Sequence, residues 1–136
     1  MSKNIVVKAN ILIEASYKLD LVEMRLILLA IIEARESKTL IDANSLIKIS
    51  AKKYAEMFDI SLKNSYSMLR GACKTLFDRQ FSYMDWDFDL LSEDTSKIFF
   101  TSRWVSKVGY KPGFVYLSFA PDVIPLISRL EKEFTR

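Results

Sequence analysis

The hydrophobic and polar positions follow a helical period over most of the first 78 residues. Between Leu21 and Glu36 the ends are polar, while the middle segment, Leu26–Ile32, is apolar on every side. Asp20 precedes this segment and Glu23 lies three residues later, which is the spacing of a capping box at a helix start. A helix that is apolar all round is buried all round, so the pattern predicts a central buried helix over 21–36.

Two further helices are predicted, with a three-residue break between them. The first spans Ala51–Phe58 after the capping residue Ser50, and the second spans Leu62–Asp78 after the capping residue Ser61. The second helix has an apolar face at helical spacing, made of Leu62, Tyr66, Leu69, Cys73 and Leu76. Its other side has cationic and hydrogen-bonding groups, namely Lys63, Asn64, Ser67, Arg70 and Lys74.

The remaining segments predict strands and two shorter helices. After residue 80 the apolar period changes from 3.6 to 2, which is typical of strands. The predicted strands are Ile5–Val7, Leu46–Ser50, Met84–Asp89, Ile98–Val108 and Phe114–Phe119. Asn10 is predicted to cap a short helix through Tyr17. A last helix is expected to start near Val123, with Pro125 in its first turn, and to end near Phe134.

This order of elements predicts one α+β domain over residues 1–136. Two helices joined by a short turn and followed by a β-hairpin make a winged helix-turn-helix. We therefore expect a winged helix-turn-helix with a three-stranded antiparallel sheet, formed by the last three strands, and a central buried helix.

The composition excludes several kinds of chemistry. The chain has no His, so a His-based triad or a His-ligated metal site is impossible. Cys73 is the lone cysteine, which rules out an internal disulfide and fits a reducing, cytoplasmic setting. The longest apolar run has seven residues, whereas a membrane span needs roughly 20. We expect no cofactor, no metal, no enzymatic activity and no membrane association.

The polar side of the second predicted helix is the strongest candidate for a binding surface. A helix that contacts DNA needs one apolar face for its own domain and one face with cationic and hydrogen-bonding groups. Three more cations, Arg103, Lys107 and Lys111, lie on the second predicted strand after this helix, Ile98–Val108, and on its predicted turn, Tyr110–Gly113. There they would reach a phosphate backbone as a wing. The alternative is an ordinary solvated helix and strand. The formal net charge of +3 is compatible with nucleic acid but does not decide between these two interpretations.

Acidic and apolar residues alternate strictly over 84–89. Asp85, Asp87 and Asp89 share one face of the predicted strand, and we expect them to be solvated and to prevent sheet-to-sheet growth. A paired-carboxylate site or a hard-cation site is the less favoured alternative. Trp86 and Trp104 are predicted to face inward, and Cys73 is predicted to be a small core residue rather than a nucleophile.

Three blocks of the sequence resemble iteron-binding plasmid replication initiators, the Rep proteins. The blocks are Val6–Asn10 with Leu12, Glu14–Tyr17, Leu19 and Arg25–Leu29; then Lys53–Phe58; and finally Pro121–Ile127 with Phe134–Thr135. The resemblance covers practically the whole chain. It implies two winged-helix domains in tandem, of which the first dimerises and contacts the DNA backbone while the second reads repeated origin sequences. The chain ends where the first of these domains ends, so we expect it to be that N-terminal domain.

The resemblance also implies a function. The domain would provide DNA binding and dimerisation for an initiator that binds origin repeats of a small circular plasmid-like DNA and starts its replication. Host replication proteins would be partners of the full-length parent. In the implied homodimer, Met84, Trp86 and Phe88 would pack across a two-fold axis. The alternative is that these three residues serve only the core of the domain itself. A winged-helix transcriptional regulator and a pure dimerisation module without DNA contact remain alternatives.

Overall fold

The computed structural model describes residues 3–38, 40–86 and 97–135. In chain order its elements are α1 (Lys3–Ser16), α2 (Leu21–Glu36), β1 (Ile47–Ser50), α3 (Ala51–Phe58), α4 (Leu62–Asp78), β2 (Gln80–Trp86), β3 (Lys97–Arg103), β4 (Val105–Lys111), β5 (Phe114–Phe119), a 3₁₀ turn (Ile124–Leu126) and α5 (Ile127–Phe134). The helices pack around two antiparallel sheets, one of three strands in the order β1-β5-β4 and one of two strands, β2-β3. The predicted class, a winged helix within an α+β domain, is confirmed.

The helix starts follow the capping residues that the sequence indicated. The Asp20 carboxylate accepts a hydrogen bond from the Glu23 backbone N–H at 2.8 Å, and the Glu23 carboxylate accepts one from the Asp20 backbone N–H at 2.8 Å. Ser50 and Ser61 cap α3 and α4 through their hydroxyl oxygens. These bonds satisfy backbone donors that have no partner inside the helix, and the bounds of α2, α3 and α4 are therefore as predicted.

Helix α1 corrects the prediction for the start of the chain. Residues 5–7 are helical rather than a strand, and Asn10 lies inside α1 rather than at its cap. Ala9, Leu12 and Ser16 are buried at helical spacing along one side of α1, which contacts β2, the 3₁₀ turn and α5. The preference of β-branched residues for strands is weak, and packing of a continuous helical face outweighs it.

Helix α2 is central, but it is not covered on every side. Leu26, Ile27, Leu29, Ala30 and Ile31 are buried, as predicted. Leu28 and Ile32, however, are only half-buried, so the prediction of all-round burial is wrong at these two positions. The neighbouring elements α4, β1 and α5 cover most of α2, and Leu28 lines an open groove with residues of α1, α3 and α5.

The sheets differ from the single predicted sheet. The long strand expected over Ile98–Val108 is two strands, separated by the buried Trp104, whose carbonyl accepts a hydrogen bond from the Ala120 N–H at 3.0 Å. A register shift between Val105 and Lys107 then determines which residues of β4 share a face with their partners on β5. β3 pairs with β2 as a separate hairpin, and β1 takes the third place beside β5. β5 has the predicted bounds, and β1 starts one residue later than expected.

The side chains of the β2–β3 hairpin face opposite to the expected way. Asp85 is only 8% exposed, and its carboxylate pairs with the Lys8 amine of α1 at 3.0 Å, so its predicted solvation is wrong. Met84 on the other face is 55% exposed. The cause lies in α1, which supplies a cation for the buried carboxylate. Asp87 and Asp89 lie outside the described residues.

The last helix begins later than expected. Pro125 lies in the 3₁₀ turn, and the regular helix α5 starts at Ile127 instead of near Val123. Pro125 has no N–H to donate, which is tolerated in this first turn. Val123 and Leu130 are buried in the core, while Ile127 and Phe134 are half-buried.

Candidate nucleic-acid interface

Helix α4 separates its apolar and polar sides as the sequence predicted. Leu69, Cys73 and Leu76 are buried against the rest of the domain. The five polar residues that the sequence indicated are all exposed, and we call them the α4 stripe: Lys63, Asn64, Ser67, Arg70 and Lys74. No carboxylate interrupts α4 before Asp78. The stripe therefore presents amines, a guanidinium, an amide and a hydroxyl to solvent along about three turns of helix.

A cleft of about 780 Å³ lies between α4 and the β4–β5 hairpin. Lys63 and Arg70 approach it from the helix, and Lys111 approaches it from the hairpin. The remaining lining residues are Ala51, Leu62, Tyr66, Tyr110, Pro112 and Gly113. The fold thus brings together three of the predicted cations, taken from two elements about 40 residues apart.

Arg70 is held in place by an aromatic neighbour. The centre of its guanidinium lies 5.0 Å from the centroid of the Tyr110 ring, a cation–π distance. Burial raises the pKa of the Tyr110 hydroxyl above its ordinary value, while the nearby Arg70 acts in the opposite direction. A guanidinium that stacks through its face keeps its N–H edge for planar acceptors such as phosphate oxygens. Arg70 is therefore both positioned and able to donate.

The other predicted residues lie outside the cleft. Asn64, Ser67 and Lys74 are exposed elsewhere on α4, and Lys107 is exposed on β4. Arg103, considered as a third wing cation, is at the end of β3 and stacks on the ring of Phe77 at 5.2 Å, so it is not part of the wing. The break at Trp104 is the reason, because it puts Arg103 in the other sheet.

Two residues near the cleft were missed or misplaced by the sequence analysis. Leu62 was predicted to be in the buried face of α4, but it is 58% exposed and lines the cleft. Tyr110 was predicted to be in a turn and instead belongs to β4. Val108 and Tyr110 alternate with the exposed residues Lys107 and Lys111. This alternation indicates that the Tyr110 side chain is on the covered face of β4.

Cys73 behaves as a core residue. Its side chain is fully buried, and burial raises the pKa of the thiol to about 12. A thiol in this state is a poor nucleophile at neutral pH. Within the described residues, no group of three or more acidic or cysteine side chains is placed to hold a metal ion.

A second exposed surface lies on the outer side of the β2–β3 hairpin. Met84 lies directly opposite Phe99, and their exposed fractions are 55% and 66%. Ser82 and Thr101, the next pair on this side, share a hydrogen bond of 3.1 Å between their hydroxyls. The predicted partners of Met84 in a dimer interface were Trp86 and Phe88. The side chain of Trp86 and the whole of Phe88 lie outside the described residues.

Among the helices that the structure describes, none combines the length and the apolar character needed to cross a lipid bilayer.

Comparisons with known proteins give a consistent result. The sequence model of the family described as "Initiator Replication protein, WH1" matches residues 5–136. The chain is also similar to the crystal structure of the WH1 domain of MSBI1.176, a replication protein isolated from a multiple sclerosis patient. The two share 47% sequence identity with a TM-score of 0.88, over 97% of this chain and 98% of that one. No curated protein matches the chain.

Proposed function

The chain belongs to the WH1 family of initiator replication proteins, and from this membership we propose that it is the DNA-binding and dimerisation domain of a replication initiator. The observation that supports DNA binding is the convergence of Lys63, Arg70 and Lys111 at the cleft between α4 and the β4–β5 hairpin, which we call the wing. These cations come from the two elements with which winged-helix proteins contact duplex DNA.

The chemistry of the α4 stripe favours contact with the phosphate backbone. Lys63, Arg70 and Lys74 donate to phosphate oxygens, which fix position but do not read sequence. Asn64 and Ser67 are the members of the stripe that can hydrogen-bond to a base edge or to a phosphate. Lys107 and Lys111 extend the cationic surface onto the wing. We expect affinity with modest sequence preference from this domain alone.

A salt series on a 20-base-pair duplex tests this proposal. Joint replacement of Lys63 and Lys74 by Ala is expected to weaken binding to all sequences alike. It is also expected to reduce the slope of log K against log salt by roughly 0.9 for each lost contact. Arg70 is left in place because its loss would also change the packing of Tyr110.

The matched control replaces two exposed lysines outside α4 by Ala, namely Lys18 in the turn after α1 and Lys132 in α5. This variant has the same net charge as the first and is expected to keep the parent's affinity and slope to within experimental error. If the two variants behave alike, α4 is not the DNA-binding surface. The domain would then be a dimerisation module without DNA contact.

The exposed pair on the β2–β3 hairpin supports dimerisation. Met84 and Phe99 together form a solvent-exposed apolar patch on the outer side of the hairpin. On its other side, β2 contacts α1. Exposed apolar patches mark interaction sites, and a second copy related by a two-fold axis would cover two such pairs at once. Trp86 and Phe88 are kept in the proposed interface on the sequence pattern alone, because they follow Met84 at every second position.

Sedimentation measures the association directly. The unchanged domain is expected to sediment as a dimer, and the double variant Met84→Thr/Phe99→Thr as a monomer, because threonine keeps strand propensity but removes the apolar patch. Leu40→Thr is the control, since Leu40 is 88% exposed and belongs to the loop between α2 and β1 rather than to the hairpin. A parent that is monomeric at high concentration, or a double variant that remains dimeric, would exclude this interface.

At the level of the parent protein, we propose binding to origin repeats of a small circular plasmid-like DNA in the cytoplasm, without catalysis, followed by recruitment of host replication proteins. The test is autonomous replication of a plasmid that contains the full-length gene and its flanking repeats. Loss of replication in the Lys63→Ala/Lys74→Ala background is the expected result. Repression of a neighbouring promoter without any replication would favour the transcriptional regulator instead.

A further inference from the structure

The outer face of the three-stranded sheet combines aromatic rings with lysines and does not contain the α4 stripe. Lys48 of β1 lies directly opposite Tyr116 of β5, and Lys111 of β4 lies directly opposite Phe114. Residues paired in this way project from the same face of a sheet. The ends of the three strands thus place two half-buried rings between two exposed amines.

The amines contact the rings. The Lys48 Nζ lies 4.2 Å from the centroid of the Phe114 ring, and the Lys111 Nζ lies 5.2 Å from the same centroid and 5.9 Å from that of Tyr116. In the free protein the lysine amines therefore lie over the π-faces of the rings. Because lysine side chains are flexible, a ligand with a planar group can displace the amines and stack on the rings.

The charge of this sheet has one sign. Strands β1, β4 and β5 have three lysines, Lys48, Lys107 and Lys111, and contain no Asp or Glu. Any partner that this face favours by charge is an anion. The aromatic rings restrict the kind of anion further, because stacking on a ring stabilises a bound anion most when that anion has a planar group of its own.

Gly109 leaves the approach to Tyr116 open. It lies directly opposite Tyr116 on β4, and it has no side chain to cover the ring from that side. A Cβ added at Gly109 would meet the Tyr116 Cβ at 3.8 Å, which is an ordinary contact, so the backbone here does not require glycine. The space beside the ring is therefore a feature that a substitution can fill.

We propose that this face binds single-stranded DNA, with bases stacked on Phe114 and Tyr116 and phosphates held by the flanking lysines. Two rings on one strand at positions i and i+2 lie about 6.6 Å apart, which suits successive bases of an extended strand. Aromatic platforms on cationic sheets are a general means of binding unpaired bases. Bases in a duplex are already stacked and do not offer their faces to a ring.

The test compares a fluorescein-labelled dT12 strand with a 20-base-pair duplex by fluorescence anisotropy. Tyr116→Leu keeps the apolar volume but loses the stacking ring, and it is expected to weaken dT12 binding roughly 5- to 150-fold. Tyr116→Phe keeps the ring and is expected to bind within about twofold of the parent. Lys48→Gln is expected to lower the slope of log K against log salt for dT12 by roughly 0.7.

Two further variants separate this site from the duplex site and from folding effects. Both surfaces include Lys111, but Lys63 and Lys74 belong to the α4 stripe alone. Lys63→Ala/Lys74→Ala is therefore expected to leave dT12 binding unchanged, which distinguishes a failure of this proposal from a failure of the proposed function. Gly109→Val retains both rings and all charges and is expected to weaken dT12 binding by covering Tyr116, with duplex binding unchanged. Equal dT12 affinity in Tyr116→Leu and Tyr116→Phe would overturn the proposal. If Tyr116→Leu does not fold, Gly109→Val binding dT12 as well as the parent overturns it instead.

Discussion

At the scale of single residues, a buried carboxylate connects three parts of the fold. Glu23 is fully buried in the first turn of α2, where it completes the capping box with Asp20. Arg79, between α4 and β2, donates to both carboxylate oxygens, with Nε at 3.1 Å from Oε2 and Nη2 at 3.0 Å from Oε1. The hydrogen bonds to Glu23 raise the pKa of the Arg79 guanidinium. This planar pairing fixes the start of α2 relative to the end of α4.

Removal of Arg79 is expected to be costly for stability. Arg79→Ala leaves the Glu23 carboxylate buried without its partner, and we expect a loss of about 3 kcal/mol, at the low end for a broken buried pair because solvent reaches the arginine. Arg35→Ala, which breaks an exposed pair with Glu131, is expected to cost about 0–1 kcal/mol. Urea denaturation of both variants measures the difference. Equal losses would show that the burial of Glu23 has no energetic consequence.

The Tyr83 hydroxyl makes the stability of the fold sensitive to high pH. It donates to the Asp122 carboxylate at 3.0 Å, and burial, helped by Asp122, raises its pKa to about 12 from an ordinary value of about 10. Between these two values the unfolded chain loses a proton that the folded chain keeps. Stability from this group is therefore complete below about pH 10 and falls as the pH rises toward 12.

Tyr83→Phe is expected to remove this dependence. At pH 8 the variant is expected to lose about 1 kcal/mol with its hydrogen bond. From pH 9 to 11 its free energy of unfolding is expected to fall less steeply than that of the parent, so that the two curves converge. Urea titrations at half-unit steps of pH give the comparison. A constant difference across this range would mean that Tyr83 ionises alike in both states.

At the scale of elements, helices with local start signals could be predicted and elements defined by distant contacts could not. The bounds of α2, α3 and α4 follow from Asp20, Ser50 and Ser61, each of which acts within four residues of itself. α1 and the facing of β2 depend instead on each other, through the pair of Lys8 with Asp85, 77 residues apart. An alternating sequence fixes which residues share a face of a strand, but not which of the two faces is covered.

Two adjacent leucines of α2 test this distinction. Leu29 is buried and Leu28 lines an open groove, although a sequence pattern treats them alike. Leu29→Ala is expected to lose about 2–5 kcal/mol, whereas Leu28→Ala is expected to lose clearly less because water already reaches its site. Thermal and urea melts of the two variants, side by side, give the ranking. A Leu28→Ala loss as large as that of Leu29→Ala would restore the original prediction of all-round burial.

At the scale of the whole molecule, the α4 stripe, the β2–β3 hairpin and the outer sheet face lie on different elements, and Lys111 belongs to both the cleft and the sheet face. The α4 stripe could be predicted because the period of one helix shows both of its faces. The cleft could not, since Arg70 meets Tyr110 only after the β4–β5 hairpin folds back against α4. The sheet face with Lys48, Phe114 and Tyr116 was hidden for the same reason, because it is assembled from strands that begin 67 residues apart.

The separation of these surfaces leads to a prediction about how dimerisation and DNA binding combine. If the hairpins join two copies, each copy contributes its own α4 to one duplex, and the phosphate contacts of the two copies add in the slope of log K against log salt. A monomer retains the contacts of one copy, and it also loses the effective concentration that the second copy gains once the first is bound. The monomeric variant Met84→Thr/Phe99→Thr has unchanged charge, so its slope is expected to be about half that of the parent.

The measurement is duplex affinity from 50 to 200 mM salt, with the oligomeric state of each sample verified by sedimentation. The control Leu40→Thr is expected to retain both the dimer and the full slope. A monomeric double variant with the full slope would show that a dimer contacts one duplex through a single α4. The second copy would then be free to hold another DNA segment. A halved slope shows instead that the two-fold arrangement presents both stripes to the same side, as binding to a single duplex requires.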